Sequence, residues 1–410
     1  MRRRKSASQV LLRALPKALL GGIALLMTAC PHAAAQGRAA GSFARLSQQA
    51  DQARDAEDLD RAVRLYRQAL ALQPQWAEGW WSLGTIYYDR NAYTKAVSAF
   101  QRLIALNPKN GTAHAMLGLC QFELGQDDLA LRNIQAGRRL GIQKNDELHR
   151  VVLYHEGLLC LRKSKFSSAQ QSLTLLASEG AQEKTAVLAL GMSVLLVHPS
   201  KLPPEGSLGH EIVLRVGQAE TLAATKQFNE AKEIYSSSIE EAPGFPNLHY
   251  AYGRFLLELH ETDPAVAPFQ QEIQNNPRHV QAHLEIAAVR YRIDSADGVK
   301  YAEQAVRLDP GLPFGHYLLG LLYLDTGNLA NSIPELVIAQ KAFPKEAKVY
   351  FALGNAYARA GRKQDAAKAR AAFARLNSEE KQTAGSAIYS QGSSGTDQQK
   401  VGPEPDTKPQ

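Results

Sequence analysis

Proline returns along this chain at a near-constant interval. Pro74 and Pro108 are 34 residues apart, as are Pro243 and Pro277 and also Pro310 and Pro344, while Pro277 to Pro310 is 33. Gly84 and Gly118 keep the same beat, as do Gly320 and Gly354, and Ala62, Ala96 and Ala130 keep it twice in succession. A fixed period of this size is the signature of a solenoid, in which one supersecondary unit recurs and each copy buries its apolar face only against its neighbours. The repeat therefore overrides the two or three globular domains that 410 residues would otherwise suggest.

Each period holds two amphipathic stretches. In residues 77–110, Trp80, Leu83, Gly84 and Tyr87 fall at i, i+3, i+4 and i+7, one face of a helix. Ala96, Phe100 and Leu103 mark the same kind of face on a second helix, which Pro108 ends. Arg90-Asn91-Ala92 reads as the turn between them. The small residues Gly84 and Ala96 are expected to let the two helix backbones approach closely.

These residues resemble the tetratricopeptide repeat, whose pattern runs W-x2-L-G-x2-Y and then Ala, Phe, Ala and Pro. Residues 77–110 supply Trp80, Leu83, Gly84, Tyr87, Ala96, Phe100 and Pro108, with Leu103 in place of the last Ala. Residues 313–346 supply His316, Leu319, Gly320, Tyr323, Ser332, Leu336, Ala339 and Pro344. Residues 347–380 give Tyr350, Leu353, Gly354, Tyr357 and Ala366, and 43–76 match in the second helix through Ala62, Tyr66, Ala69 and Pro74. Residues 212–245, 246–279 and 280–312 match more loosely, with Ala219, Gly253 and Ala287 at the small position. The resemblance covers about 43–380 and implies an all-α fold, a right-handed superhelical solenoid of about nine to ten repeats.

The middle departs from the pattern. Residues 111–144 and 150–183 keep the helix faces but not the closing proline. Leu190 and Gly191 then open a helix that receives no repeat partner before His198-Pro199-Ser200-Lys201-Leu202-Pro203-Pro204-Glu205-Gly206 breaks it. This predicts an N-terminal solenoid half at 43–197, an irregular linker at 198–209 that reads as a hinge, a partner contact or a neutral insertion, and a C-terminal half at 210–377. The last half would end in a solvated capping helix around 362–376, rich in Arg and Lys. From 378 to 410 the composition turns to Ser, Gly, Gln, Thr and Pro, which predicts a disordered tail.

The N-terminus reads as an export signal. Arg2-Arg3-Arg4-Lys5 precedes an apolar run from Ala18 to Ala29, too short for a bilayer span of about 20 residues. Ala33-Ala34-Ala35 suits cleavage before Gln36, which makes 1–35 a signal peptide. Alternatively, Met27-Thr28-Ala29-Cys30 resembles a bacterial lipobox, with Met where Leu is usual, and Cys30 would then carry a lipid. Either address places the protein in the periplasm or at the outer membrane, touching membrane only through the signal or a lipid anchor. The charge agrees: of the formal +7, six units lie in 1–35, which hold no acid, so the rest of the chain carries +1. That removes the electrostatic reason to expect nucleic acid.

Catalytic signatures are missing from the sequence. There is no HExxH, GxxxxGK[ST], GxSxG or strand–helix GxGxxG, and no cofactor is expected. His114, His249, His283 and His316 all fall at the fourth place of their units, where Trp80 stands in the best-kept one, and recurrence at one slot argues for packing. His279 and His283 have helical metal-ligand spacing, but no third ligand accompanies them. Cys120 and Cys160, set among apolar residues, read as structural thiols.

In the resembling family, first helices line a concave groove through the second, fifth, ninth, twelfth and thirteenth places of each unit. Here the fifth place holds Trp81, Tyr154, Tyr250, Tyr317 and Phe351, and the twelfth holds Tyr88, Phe122 and Tyr291. Charges are scattered among them at Asp89, Glu123, Arg254, Arg292 and Asp325. Aromatic anchors of this kind suit an extended peptide or an amphipathic helix, and they serve equally well as helix-packing residues. Some relatives grip a C-terminal carboxylate with paired Lys and Asn; Asn355 occupies one such place, but Phe351 stands where its partner would be. The resemblance thus implies a non-enzymatic scaffold of the bacterial envelope with other proteins as partners. The alternative is an accessory subunit of an envelope enzyme or of polysaccharide-export or secretion machinery.

Overall fold

The second helix of each period shows how the pattern becomes structure. Ala96, Ala99, Phe100 and Leu103 are the buried residues of the helix Tyr93–Leu106, spaced i, i+3, i+4 and i+7. Four of the periodic prolines end such helices in the same way, while Ala242 and Phe343, before Pro243 and Pro344, have ψ of 62° and 61°. Gln73, Asn107, Asn276 and Asp309, each just before a proline, share φ near −135° and ψ of 83–87°. The proline ring excludes its predecessor from helical backbone, so the same residue type at the same interval gives the same break.

The computed structural model describes residues 31–142 and 147–392, with side chains between 40 and 379. Cys30, nearly all of the expected signal peptide and the tail beyond 392 lie outside these residues. Among the described residues the chain forms nineteen helices and no strand. Its contacts concentrate in two units, Met1–Pro243 and Gly244–Gln410.

Unit 1 contains α1 (Pro31–Asp55), α2 (Leu59–Leu72), α3 (Ala77–Asp89), α4 (Tyr93–Leu106), α5 (Gly111–Glu123) and α6 (Asp127–Leu140). It continues with α7 (Glu147–Arg162), α8 (Phe166–Ser178), α9 (Lys184–Val194), α10 (Leu208–Ala224) and α11 (Phe228–Glu241). Unit 2 contains α12 (Leu248–Glu258), α13 (Thr262–Asn275), α14 (Val280–Arg290) and α15 (Ser295–Leu308). It ends with α16 (Pro313–Asp325), α17 (Leu329–Ala342), α18 (Ala347–Arg359) and α19 (Lys363–Gly392). Within each unit consecutive helices pack as pairs and each pair packs on the next. The fold is an all-α tetratricopeptide-type solenoid.

Between first and second helices the chain turns through a left-handed residue, at the fifteenth place of the period. Glu57, Asn91, Ser164, Lys226 and His260 occupy this slot with φ of 54–67°, and Gly125, Gly327 and Gly361 occupy it elsewhere. Only some copies use glycine, so the sequence alone does not announce the conformation.

Three expectations change. At Gly84 the space is filled by a ring rather than a backbone, since a Cβ there would lie 2.8 Å from Phe100. Gly253 likewise faces Phe269, and Gly157 and Gly320 face Leu173 and Leu336, always the residue sixteen positions on. Second, α9 does have a partner, and it is α10. A Cβ on Gly191 would run into the Val213 carbonyl oxygen, and one on Gly217 into that of Val187, so paired glycines bring these two backbones together. The segment 198–209, which holds a short 3-10 turn at Pro199–Lys201, therefore joins two helices packed on each other inside unit 1. The division between units comes instead at Pro243 and Gly244. Third, α19 packs on α18 and buries Ala366, Ala369 and Leu376, but it runs on to Gly392, through the first part of the expected tail.

Candidate functional site

The histidines are explained first, because they are the residues a catalytic reading would need. His114, His283 and His316 each place Nε2 beside the carbonyl oxygen of the proline six residues earlier, at 3.2, 3.2 and 2.9 Å. A carbonyl only accepts, so Nε2–H donates in each. Trp80 Nε1 does the same to Pro74 at 2.8 Å and Tyr350 Oη to Pro344 at 3.0 Å. The fourth place is thus a tether across the inter-repeat turn. His279 is the N-cap of α14: its Nδ1 accepts from Ala282 N at 3.1 Å, and its Nε2–H donates to Asn247 Oδ1 at 3.0 Å. Among the described residues no group of three His, Cys, Asp or Glu side chains is placed to hold a metal ion. Cys120 and Cys160 are buried free thiols, pushed by burial up to about 12 and about 11.

The aromatic first-helix residues separate into three sets. In unit 1, Trp81 is half-buried with its ring 5.7 Å from Phe100, and Tyr88 stands 5.7 Å from Tyr93. Phe122 meets His155 edge-on at 4.6 Å and lies under the Arg162 guanidinium at 4.5 Å, with Tyr154 5.5 Å from the same histidine. His155 and Arg162 complete this cluster; Arg162 holds the thirteenth, groove-lining place of its repeat, whereas His155 holds the sixth, which the repeat pattern does not single out. Arg162 also pairs with Asp127 at 3.0 Å. Burial pushes the neighbouring Asp89 carboxyl up to about 6.

Tyr250 of unit 2 belongs to the core and not to a groove. It is only 7% exposed, tilted against Phe269 at 5.8 Å and His279 at 4.7 Å. The Glu272 carboxylate holds the start of its helix by accepting from Asn247 N and Tyr250 N. This is the correction to the eight anchors: at the fifth place of this unit the ring points inward.

The third set converges. Tyr291, Tyr317 and Phe351 line one cavity of about 600 Å³ within unit 2, walled by the turn that follows α14 and by α16 and α18, and bounded by Arg370 of α19. That volume is in the range of sites that enclose small ligands or peptide side chains. Phe351 is 52% exposed, a large apolar side chain left open to solvent. Tyr317 is pushed above its ordinary pKa by burial and by the nearby Tyr291 and Glu346. Asn355, Lys348, Arg359 and Asp325 also face the cavity, and Asp325 accepts from Ser295 Oγ at 2.5 Å. Arg292, in the repeat shortened by one residue, adopts φ of 66° and sets its guanidinium 5.2 Å over the Tyr291 ring.

The repeat is matched by a family profile over part of the chain. The tetratricopeptide-repeat family profile matches residues 47–110, 93–140 and 317–379. Among solved structures, MamA from Desulfovibrio magneticus RS-1 is 23% identical with a TM-score of 0.38, covering 43% of this chain and 98% of its own. A tetratricopeptide-repeat protein from Parabacteroides merdae is 17% identical with a TM-score of 0.32, covering 69% and 99%. YrrB, described as having an unusual peptide-binding site, is 20% identical with a TM-score of 0.33, covering 47% and 83%. At such scores nothing about partners passes from them to this chain. No curated protein matches it.

Proposed function

We propose that this chain, which belongs to the tetratricopeptide-repeat proteins, is an exported scaffold of the bacterial envelope that binds a peptide or helix of a partner protein in the groove of unit 2. The observation that carries this reading is the convergence of Tyr291, Tyr317 and the exposed Phe351 on one open cavity. Rings of this kind, held by flanking helices, offer a guest large contact area at little cost in side-chain entropy. Nothing in the site points to catalysis: its polar groups are four cations, one amide, one carboxylate and the hydroxyls of Tyr291 and Tyr317.

The export half of the proposal rests on the basic N-terminus, the short apolar run and the small residues before Gln36. No helix among the described residues is long and apolar enough to cross a membrane.

One preparation tests both halves. Crosslinking of the full protein in its native envelope should capture a partner that Tyr317→Ala with Phe351→Ala reduces by about tenfold, the loss of an anchor pair. Mass spectrometry of the same material should find the N-terminus at a lipidated Cys30 or at Gln36. An unprocessed Met1 would refute export, and capture indifferent to the two rings would refute the groove.

A further inference from the structure

The cavity of unit 2 carries a charge imbalance that its aromatic walls do not explain. Arg292, Lys348, Arg359 and Arg370 all face it, against the single carboxylate of Asp325, which is engaged by Ser295. None of these four cations makes an ion pair among the described residues. Arg292 lies over a ring, and Arg359 donates to the Leu324 carbonyl. One step back along the same row of first helices the arrangement is the opposite. There Arg254 is closed off by Glu285 at 3.4 Å and Glu258 at 4.0 Å. Four like charges gathered around a concavity with one carboxylate among them raise the local potential and favour an anionic guest. Outside residues 1–35 the formal charge of the chain is only +1, so the cavity is not part of a strongly basic chain, which argues for a protein segment over nucleic acid.

We propose that the unit 2 cavity takes an acidic segment of the partner protein. Its apolar side chain seats between Tyr317 and Phe351, and its carboxylates meet Lys348 and Arg370. This inference rests on the groove reading above and adds to it the chemistry of the guest.

The test is selection of random 12-residue peptides displayed on phage against the full protein. A fluorescent copy of the best binder is then measured by anisotropy. The expected result is enrichment of Asp and Glu around an apolar residue. Affinity should fall about tenfold when NaCl rises from about 50 to about 300 mM, and by at least about tenfold in Lys348→Glu with Arg370→Glu. Both positions are exposed, and Lys348→Gln with Arg370→Gln should give an intermediate loss, which separates charge from fold.

Enriched peptides without an acidic excess, whose binding still requires Phe351, would overturn the acidic guest and leave the groove reading standing. No enrichment, or enrichment indifferent to Tyr317→Ala with Phe351→Ala, would overturn both. A single-stranded oligonucleotide of about 20 residues that displaces the peptide and loses affinity in the charge-reversed protein would overturn the peptide assignment in favour of nucleic acid.

Discussion

His316 shows how much one side chain is asked to do inside a repeat. Its Nε2 lies 2.9 Å from Pro310 O and its Nδ1 2.5 Å from Glu335 Oε2, two acceptors that together favour the doubly protonated ring. Burial pulls its pKa down, but the bonds to Pro310 and Glu335 and the charges of Glu335 and Asp309 together raise it above 6.5. His279 and His283 shift the other way. Burial is the leading cause in both, and in His279 protonation would also remove the acceptor that caps α14. A raised folded-state pKa contributes stability that is complete below the unfolded value and is lost as pH rises through the folded one. His316→Gln should therefore lower stability by about 1–2 kcal/mol near pH 6 and by less near pH 9, read from urea unfolding at both pH values. His279→Asn, which keeps a capping side chain that cannot titrate, should instead weaken the loss of stability on acidification below about 6.5. Two buried tyrosines are satisfied with the same economy. Tyr66 donates to Asp51 and Tyr235 to Glu220, each at 2.6 Å and each across fifteen residues.

At the scale of the helix, the recurring glycines divide by what they face. Opposite Gly84 is the tip of the Phe100 ring, which can tilt, whereas opposite Gly191 and Gly217 are carbonyl oxygens of the facing backbone, which cannot move without moving a helix. Gly84→Ala should lower stability by about 1–2 kcal/mol, and Gly191→Ala by more than about 3 kcal/mol, measured as shifts of the urea midpoint at constant slope. If the two changes had equal effects, the α9–α10 backbone contact would not be the tight point of unit 1. The repeat pattern recovered the helix pairs because its prolines and apolar faces act locally. It gave α9 no partner because α9 and α10 meet through two glycines on either side of a proline-rich break, outside the repeat register. The left-handed turn residues were hidden for a related reason. The fifteenth place tolerates Glu, Asn, Ser, Lys and His as well as glycine, so no residue type marks it.

Across the whole molecule, Trp76, Trp80 and Trp81 are the three tryptophans of the chain and all lie in unit 1. Unit 1 has a core cluster built on Tyr66, Leu83 and Ile86, while separate clusters in unit 2 form around Phe269, Leu319 and Leu353. Stability in a solenoid is close to a sum over neighbouring repeats, so a change is felt near where it is made. His316→Gln should accordingly shift part of the helical transition seen by far-ultraviolet circular dichroism and leave the tryptophan-fluorescence midpoint in place. Gly84→Ala, which presses on the Phe100 ring beside Trp81, should shift the fluorescence midpoint. Coincident movement of both probes for both variants would mean that the chain unfolds as one cooperative body.

The sequence by itself determined the period, the helix pairs and the near-neutral charge behind the basic N-terminus. These follow from short-range rules: proline geometry, helical spacing and the sign of side chains. It also determined which places of each repeat carry aromatic rings, but not what those rings do. Tyr250 and Tyr317 hold the same place of two repeats, yet one is packed against Phe269 and His279 while the other lines an open cavity. Tertiary structure decided that difference, because burial depends on the side chains that neighbouring helices present and not on position within the repeat. It also decided that four cations from two repeats surround one space with a single carboxylate, Asp325, among them. Charge balance is a property of a neighbourhood, and the neighbourhood exists only once the helices have stacked.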